Sequence, residues 1–179
     1  MASIGKKSIR IGKPSDVEVR ILTRSGGSVS AVSANAKHGF SKIVRDSISL
    51  IANHGVDGDA HAGAFVKHRY LACWHPLMPT ERQVHLIDES LFEAVRREGF
   101  DVGPGDLGEN ITTQGPDLLR LPLGTTLNLG SHAVIELRGL RTPCVLIDRF
   151  QNGLLKALIR PKDTPSYRAG VMAIVQKSG

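Results

Sequence analysis

The sequence predicts a mainly β, barrel-like fold with a few short flanking helices. Short alternating or apolar runs recur along the 179 residues and are separated by tight turns. Glycine is abundant, at 19 residues, which favours turns over long helices. Helical apolar spacing is clear in one segment, after Asp88, and approximate in a second, after Cys144. Strands that outnumber helices and follow one another through short turns suit a sheet that curls on itself, with helices packed outside.

Residues 1–16 read as a flexible basic N-terminal extension, with Gly5, Gly12 and Pro14 breaking any pattern. Residues 17–179 read as a single domain, without internal repeat, low-complexity tract or linker. The run Val-Glu-Val-Arg-Ile-Leu-Thr from Val17 alternates as a half-buried strand does. Gly26-Gly27 turns the chain, so that Ser28 to Val32 can pair back as a hairpin. Ile48 to Ala64 holds Gly55, Gly58 and Gly63 with Asp57 and Asp59, which predicts a strand into Ile51 and then a loop. Lys67 to Pro79 reads as irregular, and Gln83 to Ile87 as a short alternating strand.

Asp88 stands where an N-cap should, and Leu91, Phe92 and Val95 then fall on one helical face. Gly99 is placed to end that helix. A glycine-rich loop from Val102 to Gly115 runs into Ile-Thr-Thr. Leu118–Leu121 and Thr125–Leu129 read as short strands, and the Gly130-Ser131 turn leads into Ala133–Leu137 as a hairpin. Leu146, Ile147, Phe150, Leu154, Leu155 and Leu158 approximate a helical stripe that Gly153 splits in two. Val171 to Val175 is a buried closing strand.

Composition narrows the function classes. Apolar residues make up 41% and charged residues 22%, as in a globular rather than a disordered chain. No run approaches 18 apolar residues, so no membrane span is expected. The basic residues Lys6, Lys7, Arg10 and Lys13 are not followed by an apolar h-region, so no secretory signal is read. Cys73 and Cys144 cannot make a disulfide framework and fit a reducing compartment, with the cytoplasm as the expected location. The charge is +6, from 23 Lys+Arg against 17 Asp+Glu, but the cations are scattered and aromatics are only 4%. Base stacking needs aromatics, so the excess suits an anionic small molecule better than nucleic acid.

Cys144 has the best local case for chemistry. Thr142 can cap a helix, Pro143 fits its first position, and Cys144 then lies in the first turn. A thiol there faces free backbone N–H groups, with Arg141 and Arg149 near in sequence. A buried, inert cysteine is the plain alternative. Cys73, beside Trp74, has no such context. His54, His61, His68 and His75 recur every seven residues, but glycine and proline between them rule out one helix. No compact ligand pair supports zinc. The loops Gly55-Val-Asp-Gly-Asp-Ala-His-Ala-Gly63 and Gly103-Pro-Gly-Asp-Leu-Gly-Glu-Asn110 match neither a phosphate loop nor a dinucleotide fingerprint. They can be tight turns, or close backbone approaches to a ligand with polar handles. Lys67, His68 and Arg69 form a basic cluster after the first loop, able to hold a phosphate or to face solvent.

Four segments in order resemble the MOSC family, the C-terminal domain of molybdenum cofactor sulfurases. They are Gly-Val-Asp-Gly-Asp-Ala-His-Ala-Gly, Arg82-Gln-Val-His-Leu-Ile, Gly-Asp-Leu-Gly-Glu-Asn-Ile-Thr and Leu-Arg-Thr-Pro-Cys. The match is closest to the small stand-alone bacterial members. The resemblance implies a barrel-like fold and a functional cysteine at Cys144, which bears a persulfide or ligates the molybdenum of the pterin cofactor. It places Asn110, with Glu109, at the cofactor, and Asp59 and His61 at the rim of the same pocket. Lys67, Arg69, Arg82 and Arg141 are the candidate partners for the cofactor's terminal phosphate. Ala60 stands where relatives often carry Arg.

The implied function is a molybdenum-cofactor enzyme that reduces N-hydroxylated bases or related N-oxygenated compounds. The chain has no iron–sulfur, flavin or nicotinamide motif, so its electrons would come from a separate reductase. The alternatives are a persulfide sulfur carrier using Cys144 and a non-catalytic cofactor carrier.

Overall fold

The computed structural model describes residues 20–21, 26–63, 80–160, 162 and 165–179. The N-terminal extension and Lys67, Arg69 and Cys73 lie outside the described residues. The elements run β1 (Arg20–Ile21), β2 (Gly27–Ala34), β3 (Ile43–Arg45), β4 (Leu50–Ile51), β5 (Gly55–Val56), β6 (Val84–Asp88) and α1 (Ser90–Arg97). They continue with β7 (Ile111–Gln114), a 3-10 turn at Leu118–Arg120, β8 (Thr126–Leu129), β9 (Ala133–Leu140), α2 (Leu146–Phe150), α3 (Leu154–Leu158) and β10 (Val171–Lys177).

Seven strands pair in the order β1-β2-β7-β6-β10-β9-β8, and β3 adds to β2 as the eighth. Every pairing is antiparallel except β6 with β7, whose crossover carries α1. The backbone of β1 comes up against β8, so the two ends of the sheet approach each other and the sheet is barrel-like. Register shifts along β9–β10 between Met172 and Ala173 and between Val175 and Lys177 favour that curl, since such irregularities increase twist. β4 and β5 form a separate two-stranded ladder. No helix among the described residues is long and apolar enough to cross a membrane.

Alternation decides which side chains enter the core. Ala133, Ile135 and Leu137 of β9, with Val171, Ala173 and Val175 of β10, face an inner cluster that also takes Leu86 and Leu127. The other side of β6 turns Ile87 toward α1, α2 and α3, against Phe92, Val95, Ile147, Leu154 and Leu158. β6 is therefore buried on both faces, and the alternation expected for it gives way to an unbroken buried run.

Most expected elements are present, with three corrections. Asp88 is still paired with Thr113 in the sheet, so the helix starts one residue later, with Glu89 at the N-cap position. Asp88 nonetheless accepts the Ser90 N–H at 3.0 Å through Oδ1. Leu118–Leu121 is not a strand. Pro116 and Pro122 bracket it, Leu118 drops into the inner cluster, and the Leu121 N–H bonds back to the Leu118 carbonyl. Finally, Thr142 caps nothing and Cys144 precedes α2, which begins at Leu146 without a side-chain cap. The Arg141 N–H still bonds the Gly170 carbonyl at 2.9 Å, so the chain leaves the sheet too late to turn at Thr142.

Candidate functional site

The second glycine loop brings Asn110 to the centre of the sheet, where its amide joins three segments. Its backbone N–H donates to the His85 carbonyl at 2.8 Å, and its Oδ1 accepts the His85 N–H at 3.2 Å. Nδ2 donates to the Ser33 carbonyl at 3.2 Å and to Asp59 Oδ2 at 3.4 Å. Asp59, in the loop after β5, is thereby drawn to β2 and β6.

Asp59 is buried with an ion partner that no motif announced. Lys42 Nζ lies 2.9 Å from Asp59 Oδ2, and both side chains are almost wholly covered. Burial alone would raise the Asp59 carboxyl, but the hydrogen bond from His61 and the Lys42 ammonium outweigh it and hold the group well below the usual range. Burial lowers Lys42, against the opposing pull of Asp59 and Glu109.

Glu109 is fully buried. Its Oε1 accepts the Gly105 N–H and the Thr112 hydroxyl, while Oε2 finds no partner among the described residues. Burial raises its pKa, with the Gly105 bond opposing, so its proton is held more tightly than in a free side chain.

Cys144 is half-buried on the connection from β9 to α2, and its carbonyl accepts the Ile147 N–H at 3.0 Å. The Arg141 guanidinium lies near Cys144 and donates from Nη1 to the Thr142 carbonyl at 3.1 Å. Burial lowers the Arg141 pKa, contact with Cys144 opposes that, and the nearby charge of Arg82 lowers it further. Arg141 also acts on His85, whose Nε2 lies 2.7 Å from the Ala169 carbonyl. Arg82, Arg141 and Cys144 are thus neighbours, and Arg141 links them electrostatically to His85 and Glu109.

A cleft of about 710 Å³ lies elsewhere, lined by α1, Asp117 to Arg120, Arg168 and Gly170, and Cys144, Arg82 and Arg141 are not on its walls. Among the described residues, no three His, Cys, Asp or Glu side chains converge as a metal-ligand set.

The sequence matches the MOSC domain over residues 52–179. The chain belongs to the MOSC domain family. This family is associated with molybdenum-cofactor or sulfur-carrier chemistry. The MOSC fold is also that of similar solved structures. YuaD from Bacillus subtilis has a TM-score of 0.62 at 18% identity, over 90% of each chain. YiiM from Escherichia coli has a TM-score of 0.56 at 17% identity, over 84% of this chain and 63% of that one. YiiM from Geobacillus stearothermophilus has a TM-score of 0.56 at 16% identity, over 91% of this chain and 68% of that one. At such identities the likeness is one of fold. A comparison with curated proteins gives no match.

Within this MOSC domain, Asp59 joins Asn110 and His61, while Arg141 lies near Cys144 and is acted on by Arg82 and Glu109. Sequence reasoning missed Lys42 and His85. His85 sat inside the matching Arg-Gln-Val-His segment and was readable there as a polar break in an apolar strand. Lys42 carried no such signal.

Proposed function

We propose that this MOSC protein binds the molybdenum cofactor through Cys144 and reduces N-hydroxylated bases or related N-oxygenated compounds, with electrons from a separate protein. The observation that carries this reading is the Arg141–Cys144 pair with Arg82 beside it. A half-buried sulfur near one guanidinium, with a second acting on that one, offers a soft metal ligand and an anion site together. The donor set fits the group: sulfur for molybdenum, and Arg82 and Arg141 for the pterin's terminal phosphate. Lys67 and Arg69, outside the described residues, complete the proposed cationic set.

When bound, the cofactor supplies two-electron oxygen-atom chemistry. The chain supplies binding, orientation and charge. Arg141 lies near the Cys144 sulfur and would offer the ligand a positive charge. Glu109, whose pKa burial raises, is buried close enough to Arg141 to act on it electrostatically. Asn110 acts through its neighbours, holding Asp59 and the His85 backbone in place.

The test is molybdenum and released-pterin content per chain, for wild type and Cys144→Ala, after expression in a cofactor-producing host. Stoichiometric molybdenum in the wild type and its loss in the variant is the expected result. Neither molybdenum nor pterin in either protein, from a host shown to make the cofactor, would overturn the reading and point to a persulfide on Cys144, read by mass spectrometry.

A further inference from the structure

We propose that the cleft of about 710 Å³ beside α1 is a second binding site, built for a small zwitterion with an apolar body, of the amino-acid class. Cys144 is not on its walls, and the site stands or falls separately from the function proposed above.

The walls come from three parts of the chain: the start of α1, the turn after β7, and the segment that leads into β10. The volume falls within the roughly 300–1,000 Å³ of small-molecule sites. Leu91 and Ala94 of α1 line it together with Leu119 and Pro165, and all four are half-buried. An apolar group laid on them would take the rest of that surface out of water.

Charged groups of both signs border the apolar wall. Some are already matched: Asp117 pairs with Arg120 at 3.3 Å, and Glu93 with Arg97 of its own helix at 3.6 Å. Asp88, Glu89 and Arg168 are not. They line the same cleft and are half-buried, yet none of the three makes an ion pair among the described residues.

The helix start accounts for only part of this acidity. Asp88 Oδ1 accepts the Ser90 N–H at 3.0 Å, whereas Oδ2 is covered from water and meets no donor among the described residues. Glu89 stands at the N-cap position, but its side chain makes no cap bond. A covered acceptor without a donor costs free energy that a ligand N–H would recover. An ammonium group at this end of the cleft supplies the N–H and balances the carboxylates. Arg168 is then the partner for the ligand's own carboxylate, which a guanidinium grips through parallel N–H bonds.

The sheet holds these groups around one space. The Arg168 N–H donates to the Leu158 carbonyl at 3.0 Å, and β10 begins three residues on, with Val171 opposite Leu86. Asp88 and Glu89 follow Leu86 at the end of the neighbouring strand. Opposite charges are thus carried by adjoining segments and do not close on each other. A purely cationic ligand would leave Arg168 unmatched, and a purely anionic one would meet Asp88 and Glu89.

The test is an NMR titration of the full chain at about pH 6.5, where α-amino groups stay protonated. The probes are leucine, leucinamide, which keeps only the ammonium, and N-acetylleucine, which keeps only the carboxylate. Leucine should shift the amide signals of α1 and of the turn after β7. Each of the other two should bind roughly tenfold more weakly, having lost one charge-assisted contact. Arg168→Gln should make leucine no better than leucinamide, and Glu89→Gln should narrow its lead over N-acetylleucine. Both side chains are unpaired, so these variants should keep the wild-type urea midpoint, and Asp88→Asn is needed only as a third comparison. Leucinamide binding wild type as tightly as leucine would overturn the zwitterion assignment and leave a plain cation site. No shifts from any probe, or shifts confined to other surfaces, would overturn the site itself.

Discussion

His85 sits on the central strand, where burial and then the charge of Arg141 push its pKa down to about 3 from an ordinary 6.5. Between those values the unfolded chain binds the proton and the folded chain does not. The stability tied to His85 is therefore complete above about 6.5 and declines as pH falls toward 3, by up to ~1.4 kcal/mol per pH unit. Asp59 acts in the same direction at lower pH: burial notwithstanding, its bonds to His61 and Lys42 depress its pKa, so its contribution is lost as pH falls below about 4. Glu109 opposes them, because burial raises its pKa. Its contribution is present below about 4.3 and is lost as pH rises through its folded value. Urea titrations should show a midpoint that drops from about pH 6.5 downward, with a shallower drop in His85→Gln. An unchanged slope would assign the effect to other groups. The motifs pointed to Asp59, His61, Glu109, Asn110, Arg141 and Cys144 because glycine loops and a proline turn framed them. Lys42 was illegible because its burial depends on the β2–β3 connection docking against Gly105, through its own N–H at 2.8 Å.

Two glycines with similar backbone angles separate what an element needs from what its neighbours allow. Gly99 ends α1 at φ 93°, with its N–H on the Arg96 carbonyl and the Phe100 N–H on the Val95 carbonyl. That is a Schellman ending, and the space around a Cβ there is open. Gly99→Ala should cost about 1 kcal/mol, the conformational penalty alone. Gly170 has φ 88°, but a Cβ there would collide with the Leu86 carbonyl and crowd His85 Nε2. Gly170→Ala should cost roughly 3 kcal/mol or more and weaken the docking of Arg141 to this turn. Chemical denaturation compares the two; equal losses would show that β6 yields to make room. The first glycine was readable as a helix stop, since caps are local. The cost at the second is set by a strand more than eighty residues away.

The inner and outer clusters lie on opposite faces of one sheet and share β6, through Leu86 and Ile87. Such a molecule should unfold as a unit. Leu158→Ala, in the outer cluster, should lower the urea midpoint by the equivalent of about 2–5 kcal/mol, with m unchanged and one transition by every probe. A second transition would show that the helical layer melts separately from the barrel.

At this scale the sequence by itself determined the class of fold and the identity of the family. Alternation, glycine turns and helix stops act over a few residues, and four short motifs in order are enough to mark a MOSC domain. Tertiary structure alone decided which polar residues would be buried together. It joined Lys42 to Asp59, and Asn110 to His85. It held Arg141 to the Gly170 carbonyl, so that α2 begins only after Cys144. The physical reason is that a buried charge is stabilised by partners close in space, and only the curled sheet makes residues so distant in sequence neighbours.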